Sequence, residues 1–402
     1  MTFEMLHQNS PGPLVSTKNF RFVDTIHLKD EAPTLVIFAG VHGNEPAGVL
    51  AVEKVFTQLR KNEKTLLGNF IGIRGNLPGL QQGERFLEQD LNRLWTSINI
   101  KSIQLKKEQL RSVEEKELLI LYREITKMLS RYTGPIYFID IHTTSSKTIP
   151  FITINDALIN RKFSRRFPLP VILGIEEYLE GPLLSYINEQ GYVSLGFECG
   201  QHQDAEAVDN AESFIWLALS IAGILPKSIW SNHTEHYKKL HLAANGNTKF
   251  YEVIKRFGLK SQDRFTMFEG FESFENIKKG TSLAEYNGQE VLASKNGILF
   301  MPLYQTQGEE GFFLIRIIPF WALRFSEFLR GVNWDHFLGL LPGVSINRKK
   351  QLIVNAKIAR FLRRPLFHLL GYRAKPSKGS LTFMSNRERS SKKDLYKDCS
   401  WM

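Results

Sequence analysis

The sequence predicts an α/β fold with a mostly parallel or mixed central sheet flanked by helices, then a smaller C-terminal all-β domain and a basic tail. Three observations lead there. Over the first half, short apolar, β-rich runs alternate with stretches of helical periodicity, the pattern of strands joined by crossover helices. From about Lys238 the texture changes to short strands punctuated by glycine, as at Lys279-Gly280, Asn287-Gly288 and Asn296-Gly297, which are hairpin and turn signals. From Gly343 to Met402, 15 Lys and Arg face only 3 Asp and Glu.

Strands are expected at Leu35–Ala39, Phe70–Arg74, Ile136–Ile141, Phe151–Ile154, Val171–Ile175 and Val193–Phe197. Between Ile103 and Tyr132, leucine and isoleucine recur at three- and four-residue intervals among Glu, Lys and Arg. That spacing predicts one long or two shorter amphipathic helices. Another helix is expected from Ala205 to Ala222, closed by Ile224-Leu225-Pro226, with a connector after it. The resulting boundaries are a main domain over 1–237, a small β domain over 238–318, and an extension over 319–402. The extension is aromatic to Leu341 and basic from Arg348, and composition predicts a disordered end around Ser390-Ser391-Lys392-Lys393.

At 402 residues the chain exceeds one hydrophobic core, which fits about two domains with extensions. Hydrophobic residues at 43% and charged residues at 23% exclude collagen-like and disordered classes. Cys199 and Cys399 provide no disulfide framework, as expected in a reducing compartment. The N-terminal residues lack the basic start and apolar core of a signal peptide. The most apolar late run, Gly311 to Phe325, is broken by Arg316, Pro319 and Arg324 and is shorter than the roughly 20 residues of a membrane span. A cytoplasmic location is expected. The net charge of +11 is confined to the tail, whose local net of +12 leaves −1 for residues 1–342, so no specific nucleic-acid partner is predicted. Segment Ile358 to Leu370 mixes cations with apolar residues. It reads either as a solvated appendage or as a peripheral contact of the basic tail with an anionic membrane.

The side chains that carry chemistry lie just beyond the expected strands, where open α/β sheets bind ligands. Gly40-Val41-His42-Gly43-Asn44-Glu45 follows the first strand and sets an imidazole and a carboxylate three positions apart. Such a pair can supply two of the three protein ligands of an open zinc site, although alone this spacing belongs more often to a surface pair on a helix. His142, which ends the run from Pro135, is the candidate third ligand. Glu198 suits a base that takes a proton from zinc-activated water, and Arg85 suits the cation that steadies an oxyanion. Asn92-Arg93 sets a planar, bidentate donor beside an amide, suited to gripping a substrate carboxylate.

In order and spacing these residues resemble the succinylglutamate desuccinylase/aspartoacylase family, whose enzymes are related to zinc carboxypeptidases. The motifs are Gly-x-His-Gly-Asn-Glu, Arg85 seven residues before Asn92 in Asp90-Leu91-Asn92-Arg93, Asp140-Ile141-His142, and Gly196-Phe197-Glu198. The likeness runs from about Pro33 to Arg316, since Met301 to Phe313 resembles the small β domain of bacterial members. It implies a zinc carboxypeptidase-like fold and one zinc per chain, held by His42, Glu45 and His142. Glu198 would be the general base, Arg85 would polarise the scissile carbonyl, Asn92 and Arg93 would bind a carboxylate, and Asp90 would orient a zinc-bound histidine. The implied activity is zinc-dependent hydrolysis of the linear amide of a small N-acyl amino acid. The alternatives are a zinc carboxypeptidase acting on peptides and a non-catalytic relative that binds a small molecule.

Two departures bear on the substrate. Aspartoacylases carry an arginine upstream of the catalytic glutamate, where this chain has Ile187. They also carry a tyrosine near the end of the β domain, where it has Gly311-Phe312-Phe313, with Tyr304 further upstream. N-acetylaspartate is therefore not the implied substrate. Asp140 is expected to bond backbone donors at a strand end, and His233-Thr234-Glu235-His236 to form a solvated turn. His202 reads as bordering the pocket or, preferred, as playing a structural or solvent role, and Cys199 is expected to be a small buried neighbour of Glu198. Glu309-Glu310 reads as an exposed acidic turn or as a substrate contact.

Overall fold

The computed structural model describes residues 20–226, 233–332, 338, 340–347, 351–355, 369–374 and 381–402. The chain runs through β1 (Phe22–Ile26), β2 (Thr34–Ala39), β3 (Asn69–Arg74), β4 (Ile136–Thr144), β5 (Phe151–Ile154), β6 (Val171–Leu173), β7 (Val193–Gln201) and β8 (Phe250–Gly258). It continues with β9 (Phe265–Met267), β10 (Asn276–Ile277), β11 (Ser282–Tyr286), β12 (Gln289–Leu292), β13 (Gly297–Phe300) and β14 (Glu310–Ile317). Eleven of these strands form one mixed sheet in the order β1-β3-β2-β4-β7-β5-β6-β8-β14-β13-β10. Its centre, β3-β2-β4-β7, is parallel.

Both faces of this sheet are covered. Along β2, Leu35, Ile37 and Ala39 join the core built with α1 (Ala47–Leu59) and α7 (Ala205–Ile221). Val36 and Phe38 point the other way, into the core shared with α4 (Val113–Arg131). Burial on both faces is why these strands read as continuous apolar runs. The helical stretch expected over 103–132 divides into α3 (Ser97–Leu105, after the short α2 at Leu77–Gln82) and α4. The break follows from local hydrogen bonding. Arg111 Nη2 donates to the Gln104 and Lys106 carbonyls at 3.2 and 2.7 Å, meeting orphans at the α3 end, and Ser112 with Glu115 forms a capping box that starts α4 anew.

The sheet does not stop at the boundary expected after residue 237. β8 pairs in parallel with β6 and carries β14, β13 and β10 with it, covering an edge that the three-residue β6 would leave open. Only β12-β11-β9 make a separate small sheet in this region. His233 to His236 is not a solvated turn but the start of α8 (His233–Ala243, after α5 at Leu158–Ser164 and α6 at Leu183–Glu189). The His236 ring stacks against Trp216 at 6.0 Å.

The extension contributes α9 (Phe320–Arg330) and a four-stranded sheet, β15 (Val344–Ile346), β16 (Leu352–Asn355), β18 (Leu381–Asn386) and β17 (Tyr372–Ala374), paired in that order. The segment carrying the expected membrane contact, Ile358 to Leu370, lies outside the described residues up to position 368. Among the described residues no helix is long and apolar enough to cross a membrane. The end of the chain is ordered, contrary to expectation. Tyr396 and Trp401 are buried against β4 and β7, where the Tyr396 hydroxyl accepts from Val193 N of β7 at 3.1 Å and Trp401 Nε1 donates to the Tyr137 hydroxyl of β4 at 3.2 Å. The Lys392 ammonium sits 4.1 Å from the centroid of the Tyr192 ring. Composition around Ser390 to Lys393 misleads because the anchoring aromatics come a few residues later.

Candidate active site

Two glycines shape the corner after β2. Gly40 takes φ +67°, a left-handed conformation that side chains disfavour. At Gly43 a Cβ would stand 2.0 Å from the Gly79 carbonyl carbon and 2.4 Å from the Glu84 oxygen, so only glycine lets this turn press against the 79–85 loop. The Gly43 amide donates to the Arg85 carbonyl at 3.2 Å. His42 and Glu45 are thereby set beside Arg85, with Glu45 directly before the start of α1, where the helix dipole favours a carboxylate.

β4 and β7 supply the rest. His142 and Glu198 are register neighbours on these parallel strands. Both imidazoles turn Nδ1 toward Glu45, His42 at 2.8 Å from Oε1 and His142 at 2.9 Å from Oε2. Both turn Nε2 toward another carboxylate, Asp90 at 3.3 Å for His42 and Asp140 at 2.8 Å for His142. Asp140 therefore bonds a ring rather than backbone donors, correcting the expectation for it. The signal was present in the sequence, since residues two apart on a strand share a face. Such outer carboxylates fix the tautomer and ring angle of a ligating histidine. One ligand atom each from His42, Glu45 and His142 lies within 4.8 Å of the other two, so the three can hold a metal ion.

The electrostatics fit a cation there. Burial pushes the Glu45 carboxyl up, but His42 and His142 outweigh it and hold it well below its usual range. Burial disfavours charge on His142, yet the carboxylates of Asp140 and Glu45 raise it well above an ordinary imidazole. For Glu198, burial assisted by the charges of Glu45 and Asp140 wins over His142 and Arg85, and its carboxyl is pushed up to about 8. Buried or half-buried carboxylates of Glu45, Asp90, Asp140 and Glu198 gather at this point. A divalent ion among imidazole and carboxylate donors would supply compensating positive charge.

His42, Glu45, Arg85, Asn92, Arg93, His142 and Glu198 all line one cavity of about 130 Å³. Arg85 lies between Glu45, at 3.5 Å, and Asp90, at 3.1 Å. The Asn92 side-chain oxygen accepts from Leu183 N at 2.9 Å and so fixes the start of α6. Arg93 is half-buried and paired at 3.0 Å with Glu310 of β14, whose other oxygen is 3.1 Å from Arg256. Glu310 is accordingly no exposed acidic turn. Ile187 is fully buried in the α4-side core, and α6 presents Leu184 and Ser185 to the cavity instead. The Tyr304 hydroxyl is occupied by the backbone of Phe268 and Phe271, and Phe313 faces the cavity. Cys199 is buried as expected, its thiol donating to the His142 carbonyl at 3.1 Å.

Several lining residues lay beyond the reach of local patterns. His202 borders the cavity rather than standing apart from it, its ring held by Thr143 Oγ1 at 2.7 Å and by Gln305 Oε1 at 3.0 Å. Burial lowers its pKa. Gln305 also accepts from Asn44 Nδ2 at 3.2 Å, tying the 301–308 loop across the cleft. Met301 opens that loop at φ +49° and is held by the Ser273 hydroxyl, 3.0 Å from its amide. Such a conformation costs a non-glycine residue about 1–3 kcal/mol. Glu176 lines the opposite wall. Gln305 and Glu176 reach the site only through sheet topology, so no spacing rule could find them.

Residues 31–212 match the succinylglutamate desuccinylase/aspartoacylase catalytic domain. A succinylglutamate desuccinylase of Pseudomonas paraeruginosa is 36% identical over 73 residues, 18% of this chain and 22% of that protein. Another, from Shewanella pealeana, is 26% identical over 287 residues, 66% of this chain and 75% of that protein. The first of these alignments thus spans about a fifth of the relative's length. The crystal structure of a succinylglutamate desuccinylase/aspartoacylase from Rhodobacter sphaeroides has the same fold, with a TM-score of 0.51 at 17% identity over 72% of this chain and 87% of that one. With the domain match and the fold in agreement, residues 31–212 belong to the succinylglutamate desuccinylase/aspartoacylase catalytic-domain family.

Proposed function

We propose that the protein is a cytoplasmic, zinc-dependent hydrolase that cleaves the linear amide of a small N-acyl amino acid or a similar carboxylate-bearing amide. The observation that carries this reading is the convergence of two imidazoles and one carboxylate within 4.8 Å in the cavity that Glu198 also lines. Zinc held by His42, Glu45 and His142 would supply Lewis acidity and a water acidic near neutral pH. Around it, Asp90 and Asp140 hold the histidine Nε2 atoms, so that both Nδ1 lone pairs face inward. Glu198 Oε2 has no partner among the described residues. It takes a proton from the attacking water and returns it to the leaving amine. Arg85 offers its guanidinium to the charge that develops on the carbonyl oxygen, while Asn92 and Arg93 meet the substrate carboxylate.

The names of the relatives, succinylglutamate desuccinylases, support removal of an acyl group. A cavity of about 130 Å³ beneath the 301–308 loop favours a small amide over a peptide. Zinc-loaded protein is expected to release primary amine from a panel of N-acyl amino acids, to stop when a chelator strips the metal, and to recover when zinc is restored. No amine release from any acetyl or succinyl member of the panel would contradict the proposal.

A further inference from the structure

We infer that this pocket selects an amide with one carboxylate and an uncharged, aliphatic chain, and disfavours dicarboxylates. The inference rests on the hydrolase reading above and names its substrate class. Among the described residues lining the cavity, the guanidinium groups are those of Arg85 and Arg93. Arg85 lies between Glu45 and Asp90, and what remains of its fork serves the scissile carbonyl. Arg93 already faces Glu310, 3.0 Å away, and its Nη1 donates to the Asn92 carbonyl at 3.0 Å. One substrate carboxylate can share the Arg93 fork with Glu310, as bidentate guanidinium geometry allows. A second carboxylate would find no uncommitted cation and would lie in a cavity that Glu176 and Glu310 also line. Burying an unpaired charge in that position is strongly disfavoured.

Apolar side chains form much of the remaining wall, beside neutral polar ones such as Thr153, Asn155 and Gln305. Ile154, Ile175, Leu179 and Leu184 come from the main sheet side, and Met301 and Phe313 close it from the β region. The strained backbone of Met301 holds this residue at the edge of the cleft. Glu176 is buried, and its Oε2 has no partner among the described residues. A substrate with an ammonium-bearing chain is therefore the sharpest competitor to the aliphatic class.

The test compares N-acetyl-L-leucine and N-acetyl-L-methionine with N-acetyl-L-aspartate, N-succinyl-L-glutamate and Nα-acetyl-L-lysine on zinc-loaded full-length protein. The expected result is kcat/KM about tenfold or more higher for the leucine and methionine amides, the scale at which a pocket discriminates by chain chemistry. Glu310→Gln frees Arg93 and is expected to shift the aspartate-to-leucine ratio toward aspartate by about tenfold. Preference for either dicarboxylate or for the lysine amide overturns the inference, as does a ratio unmoved by Glu310→Gln. Thermal shifts with the same amides read selectivity without turnover. If nothing is hydrolysed but the leucine amide stabilises the protein most, the hydrolase reading fails and the selectivity stands. If the dicarboxylates stabilise it equally or more, or no aliphatic member does so, the selectivity fails.

Discussion

Glu198→Gln is expected to lower turnover by about 10²–10⁴-fold, the usual contribution of a general base, while zinc stays bound. Glutamine keeps the shape of the side chain but cannot accept a proton. Glu198 is not one of the three residues whose ligand atoms converge; it stands beside His142 on the neighbouring strand. In the metal-free protein, burial and the nearby carboxylates push its pKa to about 8. A divalent cation at His42, Glu45 and His142 opposes that rise and leaves Glu198 ready to accept a proton near neutral pH. Amine release and metal content measured on one preparation separate the possible roles. A variant that keeps more than a tenth of the wild-type rate rules out Glu198 as the base, and one that loses zinc together with activity makes it a ligand instead.

Asp156→Asn is expected to destabilise the fold by about 3–5 kcal/mol, the scale of breaking a buried ion pair on one side. Asp156, just after β5, is fully buried and receives Arg161 of α5, Arg330 of α9 and Arg373 of β17. Burial pushes its carboxyl up, but the three guanidinium groups outweigh that and hold it well below the ordinary carboxylate range. A carboxyl whose pKa is depressed in the folded state contributes stability above its unfolded value, about 3.9, and that contribution is lost as pH falls through the folded value. The acid limb of the stability profile should therefore flatten in the variant, along with the lower melting midpoint. Unchanged thermal unfolding would mean that Glu177 and Glu388, which pair with Arg373 and Arg330 at 2.9 and 3.0 Å, compensate the cluster alone. The cluster also reaches the pocket, because Asp156 N donates to the Glu176 carboxylate at 3.0 Å.

The candidate metal corner was legible because its residues sit at or near the carboxyl ends of apolar strands, and those ends converge in a parallel sheet. His42 follows β2, while His142 and Glu198 lie in the last few residues of β4 and β7. Asp140 was misread although its distance of two from His142 on one strand contained the answer. Glu310 was ambiguous because its partner, Arg93, lies 217 positions away, and only the antiparallel pairing of β14 with β8 brings the β region alongside the catalytic sheet. The end of the chain misled for a different reason. Lysine and serine dominate its composition, but Tyr396 and Trp401 decide its fate by burial under β4.

The central claim is that His42, Glu45 and His142 bind zinc as one site, and metal stoichiometry tests it most directly. Protein purified, stripped and reloaded with zinc should retain one zinc per chain after exhaustive dialysis, measured by inductively coupled plasma mass spectrometry, while folded His142→Ala should retain almost none. A wild-type chain that holds no zinc after reloading, or a His142→Ala chain that holds as much as wild type, would contradict the account.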